Sequence, residues 1–231
     1  MKNTWYLSPL DIIETLSQEE RELFYRKACR NKYPKDTLVF SPGDRGGTIF
    51  YVISGGIKIY NISACGKEVI YWFCYPRDFF GLAEVCGGEK RTVFAEAAED
   101  SELLSVAGKD FEEFFGRNPR VALLMMRILG RRLRQAHETI KELIACDVHS
   151  RLAQLLLKLG QICGASRNGT VVLEKKFTHQ EMASMIGATR TTVTEVLNEF
   201  KKKGFIETKG GRITILDREG LAVSLDTLDE N

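Results

Sequence analysis

The chain of 231 residues is defined first by what it lacks. It has no apolar run near the ~18 residues that a membrane span needs. The nearest, 121–129, is interrupted by Arg127. The N-terminus carries no basic region followed by an apolar run, so no secretion signal is expected. A cytoplasmic, reducing environment follows from that reading. The six cysteines, at 29, 65, 74, 86, 146 and 163, are widely spaced and contain no CxxC pair, which excludes a zinc-ribbon spacing and implies free thiols. They read as small core residues, with Cys86 as the candidate if one of them senses oxidant. The three histidines, His137, His149 and His179, are scattered and offer no metal-binding constellation. There is no phosphate-binding glycine loop, no HExxH and no nucleophile–base set, so the chain is not expected to be an enzyme.

What is present is concentrated in 177–216. Thr178 can cap a helix, and Glu181, three residues on, can return the bond to the cap. Met182, Ala183 and Ile186 form an apolar stripe before Gly187-Ala188 breaks the helix. Thr189 caps a second helix, whose inner face is Val193, Val196, Leu197 and Phe200. Arg190, Thr191, Thr194, Glu195 and Asn198 then point outward. Lys201-Lys202-Lys203-Gly204 ends that helix with cations and a glycine. Residues 205–208 and 213–216 flank Lys209-Gly210-Gly211-Arg212 and read as a hairpin. This is the layout of a winged helix-turn-helix, whose second helix enters the DNA major groove.

Charge partition supports it. Residues 148–216 carry 11 Lys/Arg against 5 Asp/Glu, whereas 1–147 carry 21 of each and the last fifteen residues carry 1 against 5. The whole-chain charge of +2 therefore conceals a basic module, as phosphate contacts require.

Upstream, Ser17-Gln18-Glu19-Glu20 is a second capping box, predicting a helix to about Arg30 with Leu23, Phe24 and Ala28 inward. From 35 to 106 short β-rich runs (38–40, 49–53, 57–62, 68–75, 93–97, 103–106) alternate with glycine turns, which implies an antiparallel roll. Phe50, Val52, Ile57, Ile59, Ile70, Trp72, Phe80 and Phe94, or their alternates, supply its interior. A short helix is expected over 109–116. Asn118-Pro119 opens a long helix to about Cys146. Along it Ala122, Met126, Leu129, Leu133, Ala136, Ile140 and Leu143 recur at +4 and +3, a coiled-coil seam that predicts a parallel homodimer. Leu123, Met125, Ile128 and Ile144 form a second apolar set, expected to pack on the roll. Asp147 is placed to cap the next helix, which has Leu152, Leu155, Leu156, Leu159 and Ile162 inward, and is read as the hinge. Residues 164–169 read as a loop and 171–173 as a short strand. The fold class is α+β, divided into a sensor roll (1–116), a dimerisation helix with hinge (117–147) and a DNA-binding domain (148–231).

A β-roll, a dimer helix and a winged helix-turn-helix in this order resemble the CRP/FNR family of bacterial transcription regulators. The resemblance rests on Lys32-Tyr33-Pro34, Gly55, Phe80-Gly81, Arg91-Thr92, the run from Asp147 through Arg151-Leu152-Ala153-Gln154, and 178–197. It implies an allosteric homodimer in which a signal at the roll changes how the long helices meet, with a palindromic DNA operator and RNA polymerase as partners. It also implies an effector site at Gly81, Leu82, Glu84, Arg91, Thr92, Ala136 and His137. Cyclic-nucleotide members carry a glutamate for the ribose after Phe-Gly, where this chain has Leu82, and Thr-Ser on the long helix, where it has Ala136-His137. A diol facing Leu82 loses a charge-assisted bond worth ~1.5–3 kcal/mol, so cAMP is not the expected ligand and the effector is an unidentified small molecule. Arg91 either holds another anion or pairs with Glu84 or Glu89. An iron–sulfur cluster is not expected with Cys29 alone near the N-terminus, nor is haem without a histidine in the roll.

On DNA, Arg190 is placed to hold a guanine edge. Glu195 either accepts from a cytosine amino group or, the favoured reading, pairs with Arg190. Thr178, His179, Gln180, Thr189, Lys201, Lys202, Lys209 and Arg212 complete the interface, mainly at phosphates. The competing reading is a cyclic-nucleotide-binding regulatory subunit that acts through a protein partner.

Overall fold

The computed structural model describes residues 12–85, 89–167 and 169–223; Cys86 lies outside them. The packing makes two compact units, the first ending at Arg131 and the second beginning at Arg132. Their boundary falls within the long helix, and the expected hinge residue Asp147 lies in the second unit.

The first unit starts with α1 (Gln18–Lys27), where Ser17 and Glu20 complete the capping box. The helix is three residues shorter than expected, because β1 (Cys29–Tyr33) leaves it to pair with the distant strand 101–107. Two four-stranded antiparallel sheets follow from β2 (Leu38–Phe40), β3 (Thr48–Ser54), β4 (Ile57–Ile62), β5 (Glu68–Cys74), β6 (Phe79–Phe80), β7 (Phe94–Ala97) and β8 (Ser101–Ala107). Their orders are β1-β8-β3-β6 and β2-β7-β4-β5.

Strand β3 shows why the roll closes. Its even side chains, Phe50 and Val52, enter the core between the sheets with Phe40, Ile57, Ile59, Phe80 and Leu103. Its odd ones, Ile49 and Tyr51, face a second core containing Phe24, Phe79, Phe111 and Phe114. A strand buried on both faces reads as a continuous apolar run, which hides its alternation in the sequence. Of the expected interior residues, Trp72 and Phe94 are only half-buried. The second core is completed by α2 (Gly108–Arg117) and the start of α3 (Pro119–Ala145).

The second unit is built on α4 (Val148–Cys163). Asp147 caps it, accepting from the Ser150 N–H at 2.8 Å. Burial raises the Asp147 carboxyl, and the Ser150 bonds with the nearby His149 and Arg151 outweigh this and hold it below the usual range. Then come β9 (Gly164–Arg167), read from sequence as loop, β10 (Thr170–Leu173), α5 (His179–Ile186), α6 (Arg190–Lys202), β11 (Ile206–Lys209), β12 (Arg212–Ile215) and α7 (Arg218–Val223). The last sheet runs β11-β12-β10-β9. Gly210 and Gly211 both have positive φ, +60° and +78°, the pairing that a tight two-residue hairpin needs.

Candidate nucleic-acid interface

Helices α5 and α6 are set by their caps. Thr178 and Glu181 form the complete capping box, Gly187 closes α5 in the left-handed region at φ +65°, and Thr189 caps α6 through the Thr192 N–H. Met182, Ala183, Ile186, Val193, Val196, Leu197 and Phe200 are buried with Leu152, Leu156 and Leu159 of α4. Burial of that face leaves Arg190, Thr191, Glu195 and Asn198 exposed on one side of α6, with Thr194 half-buried. Gln180, Thr189, Lys202, Lys209 and Arg212 are also exposed, and Lys201 is half-buried.

Two expectations change at this surface. Arg190 and Glu195 form no ion pair, because five residues along a helix is neither the three nor the four that places side chains together; both are exposed and free to face a ligand. The Thr194 hydroxyl is already engaged. Its oxygen lies 2.8 Å from the Arg190 carbonyl and 2.8 Å from His179 Nδ1. A carbonyl only accepts, so the hydroxyl proton goes there and the oxygen accepts from an Nδ1–H. His179 therefore ties the start of α5 to α6. Burial, then Lys201 and Arg190, hold its imidazole below the usual histidine range. There is a second tie: His149 Nε2 lies 3.0 Å from Glu199 Oε2, linking the start of α4 to the far end of α6. Nothing in local sequence spacing signals a contact between residues fifty positions apart.

In the roll, Gly81, Glu84 and Arg91 come together. Arg91 is buried and its Nη1 donates to Glu84 Oε2 at 2.6 Å and to the Gly81 carbonyl at 3.0 Å. Its Nη2 donates to the Thr48 carbonyl, and the Phe40 ring lies 4.2 Å from the guanidinium carbon. Of the two readings of Arg91, the pairing with Glu84 is the one in the structure. Leu82 packs into the second core instead of lining a polar site. Thr92 is exposed, as are Ala136 and His137 on the part of α3 that belongs to the second unit.

The Crp-like helix-turn-helix domain matches residues 150–223, and the cyclic nucleotide-binding domain matches 30–118. A CRP-like cAMP-activated global transcriptional regulator of Mycobacterium tuberculosis is 30% identical over 190 residues, covering 82% of this chain and 85% of that protein. The chain belongs to the CRP/FNR family. A global nitrogen regulator of Nostoc is 29% identical, over 79% of this chain and 83% of its own length. CooA from Carboxydothermus hydrogenoformans superposes with a TM-score of 0.78 at 25% identity, covering 94% of this chain and 95% of that one. This CRP/FNR protein is a DNA-binding transcription regulator with a sensing domain of the cyclic-nucleotide-binding type. The cAMP-activated relatives are transcriptional regulators and not enzymes.

The long helix of this CRP/FNR chain carries its expected seam on the outside. Met126, Leu129, Leu133, Ile140 and Leu143 are 64, 48, 58, 54 and 47% exposed. Ala136 is exposed and Ala122 half-buried. The second apolar set differs from expectation. Leu123 and Ile144 are exposed, and the residues packed into the roll are Val121, Leu124, Met125 and Ile128. Those four follow i, i+3, i+4, i+7, a true helical stripe, which the expected set did not.

Proposed function

We propose that this regulator works as a parallel homodimer joined along Ala122, Met126, Leu129, Leu133, Ala136, Ile140 and Leu143. It binds a palindromic operator with half-sites about one helical turn apart. The observation that carries the reading is the exposed row of five large apolar side chains on α3. Such a contiguous apolar stripe on an isolated surface marks a protein interface, and its spacing is that of a two-stranded coiled coil. Thr178, His179, Gln180, Thr189, Arg190, Thr191, Thr194, Glu195, Asn198, Lys201, Lys209 and Arg212 form the DNA-facing set. Arg190 and Glu195 reach base edges, Lys209 and Arg212 the backbone, and Thr194 acts mainly by orienting His179. Among the described residues no helix is long and apolar enough to cross a membrane; we place the protein in the cytoplasm, with RNA polymerase as the partner through which it acts.

The signal at the roll is a small molecule other than cAMP. Leu82 offers a ribose diol no hydrogen bond, and the Arg91 guanidinium is engaged by Glu84. The protein-partner alternative is disfavoured by the match of 150–223 to a DNA-binding domain. Selection of bound duplexes from a random pool tests the reading. The expected sites are two-fold symmetric with half-sites about 10 bp apart; asymmetric sites, or no enrichment, would overturn it.

A further inference from the structure

Among the described residues, Arg91 and Glu84 form the most deeply buried ion pair, with side chains 1 and 7% exposed. A buried guanidinium is a receptor for one carboxylate or phosphate, because its planar donors match those oxygens. Here the chain provides that anion itself. We propose that Glu84 is the internal counter-anion of Arg91 and the residue that decides what the roll accepts: while its carboxylate is in place, Arg91 takes no phosphate.

The geometry leaves little for an incoming phosphate. Nη1 already donates twice and Nη2 donates to the Thr48 carbonyl, while Phe40 covers the face of the group. The approach is also closed. A Cβ at Gly46 would lie 2.4 Å from Glu84 Cβ and 2.3 Å from the Glu89 carbonyl oxygen, so the turn at 43–46 sits directly against the pair. That turn is bonded to the arginine's own backbone, with Gly43 N–H on the Arg91 carbonyl and Arg91 N–H on the Asp44 carbonyl, both at 2.8 Å. Gly81 is held at φ +76°, and a Cβ there would come within 3.0 Å of Nη1. The residues present thus do not fit a cyclic nucleotide phosphate at Arg91.

One donor nitrogen has no partner. Arg91 Nε is buried and has no hydrogen-bond partner, because Glu84 reaches Nη1 alone. A phosphate taking the carboxylate's place accepts from Nη1 instead, while the Nε–H, on the Nη2 side of the planar group, faces away from it. Removing the carboxylate therefore opens a phosphate site that the wild-type chain has closed.

The proposal goes beyond the dimer-and-DNA reading, and phosphate binding is read separately from operator binding. The test is thermal melting of the full chain titrated with inorganic phosphate and, in parallel, with cAMP, for wild type, Glu84→Ala, Glu84→Gln and Glu84→Ala/Arg91→Ala. Wild type should show no saturable rise in Tm up to millimolar ligand beyond that of the double variant. Glu84→Ala should show one with phosphate, and the double variant should lose it. Glu84→Gln keeps the shape of the side chain without its charge, so it guards against failure of Glu84→Ala to fold; it should gain a rise with phosphate smaller than that of Glu84→Ala, because the amide still fills the position. Recovery of folded Glu84→Ala only from phosphate-containing refolding buffer would support the same conclusion. A saturable rise in wild type that the double variant lacks, or the absence of a gain in both single variants, would overturn it.

Discussion

His179 Nδ1 stands 2.8 Å from Thr194 Oγ1 and donates to it, joining the first turn of one helix of the DNA-binding module to the reading helix. The neutral ring therefore presents a lone pair at Nε2, which repels a phosphate; contact with the DNA backbone requires the imidazolium. Burial, with Lys201 and Arg190 nearby, keeps the free protein's ring below the usual histidine pKa. Two opposite pH effects follow. The folded module binds fewer protons than the unfolded chain, so its stability is full above the ordinary histidine pKa of about 6.5 and falls as pH drops through and below it. DNA affinity moves the other way and rises over the same interval, because binding takes up a proton. Operator titrations by fluorescence anisotropy at several pH values should show this rise in wild type and a flat profile in His179→Asn.

Arg190 is exposed and unpaired with Glu195, so its fork is available to a base edge. Arg190→Ala should cost about 1–3 kcal/mol at one base pair per half-site and relax discrimination there. Lys209→Ala, in the exposed hairpin, should weaken all sequences alike and lower the slope of log K against log salt by about 1. Binding to a panel of single-base operator variants separates the two. If Arg190→Ala leaves operator discrimination intact, the orientation assigned to α6 is wrong.

Much of this architecture is legible in the sequence where the signal is local. The boxes Ser17–Glu20 and Thr178–Glu181, the Asp147 cap and the glycine pair of the hairpin each depend on residues within a few positions. The seam on α3 is legible because its period is strict. Less is legible where distant pairing decides. The edge strand β1 is largely exposed, so it has no alternating apolar signal, and only pairing with β8 makes it a strand. Leu123 and Ile144 sit beside the seam, and no helical period links them to the buried stripe. The Arg91–Glu84 pair is only seven residues apart, yet its backing by Thr48 and Phe40 comes from strands thirty or more positions away.

The buried pair also bears on stability. Arg91→Ala leaves a carboxylate without its partner in the interior, and breaking such a pair costs about 3–5 kcal/mol. Urea unfolding should register that loss. The double replacement Glu84→Leu/Arg91→Met should recover most of it, since no unpaired charge remains.

Asp147→Ala removes the cap of α4, and a lost cap costs about 1 kcal/mol. The carboxyl is held below its ordinary value, so its contribution is present above the unfolded carboxylate pKa and is lost as pH falls through the folded one. The wild-type and variant melting curves should therefore differ at neutral pH and converge in acid.

Equilibrium sedimentation of the full chain at micromolar concentration tests the central claim most directly. The prediction is a species of twice the 26.1 kDa chain mass, reduced to one chain by Leu133→Glu with loss of operator binding and an unchanged circular dichroism spectrum. A wild-type chain that sediments as a single copy while binding its operator at full affinity would contradict it.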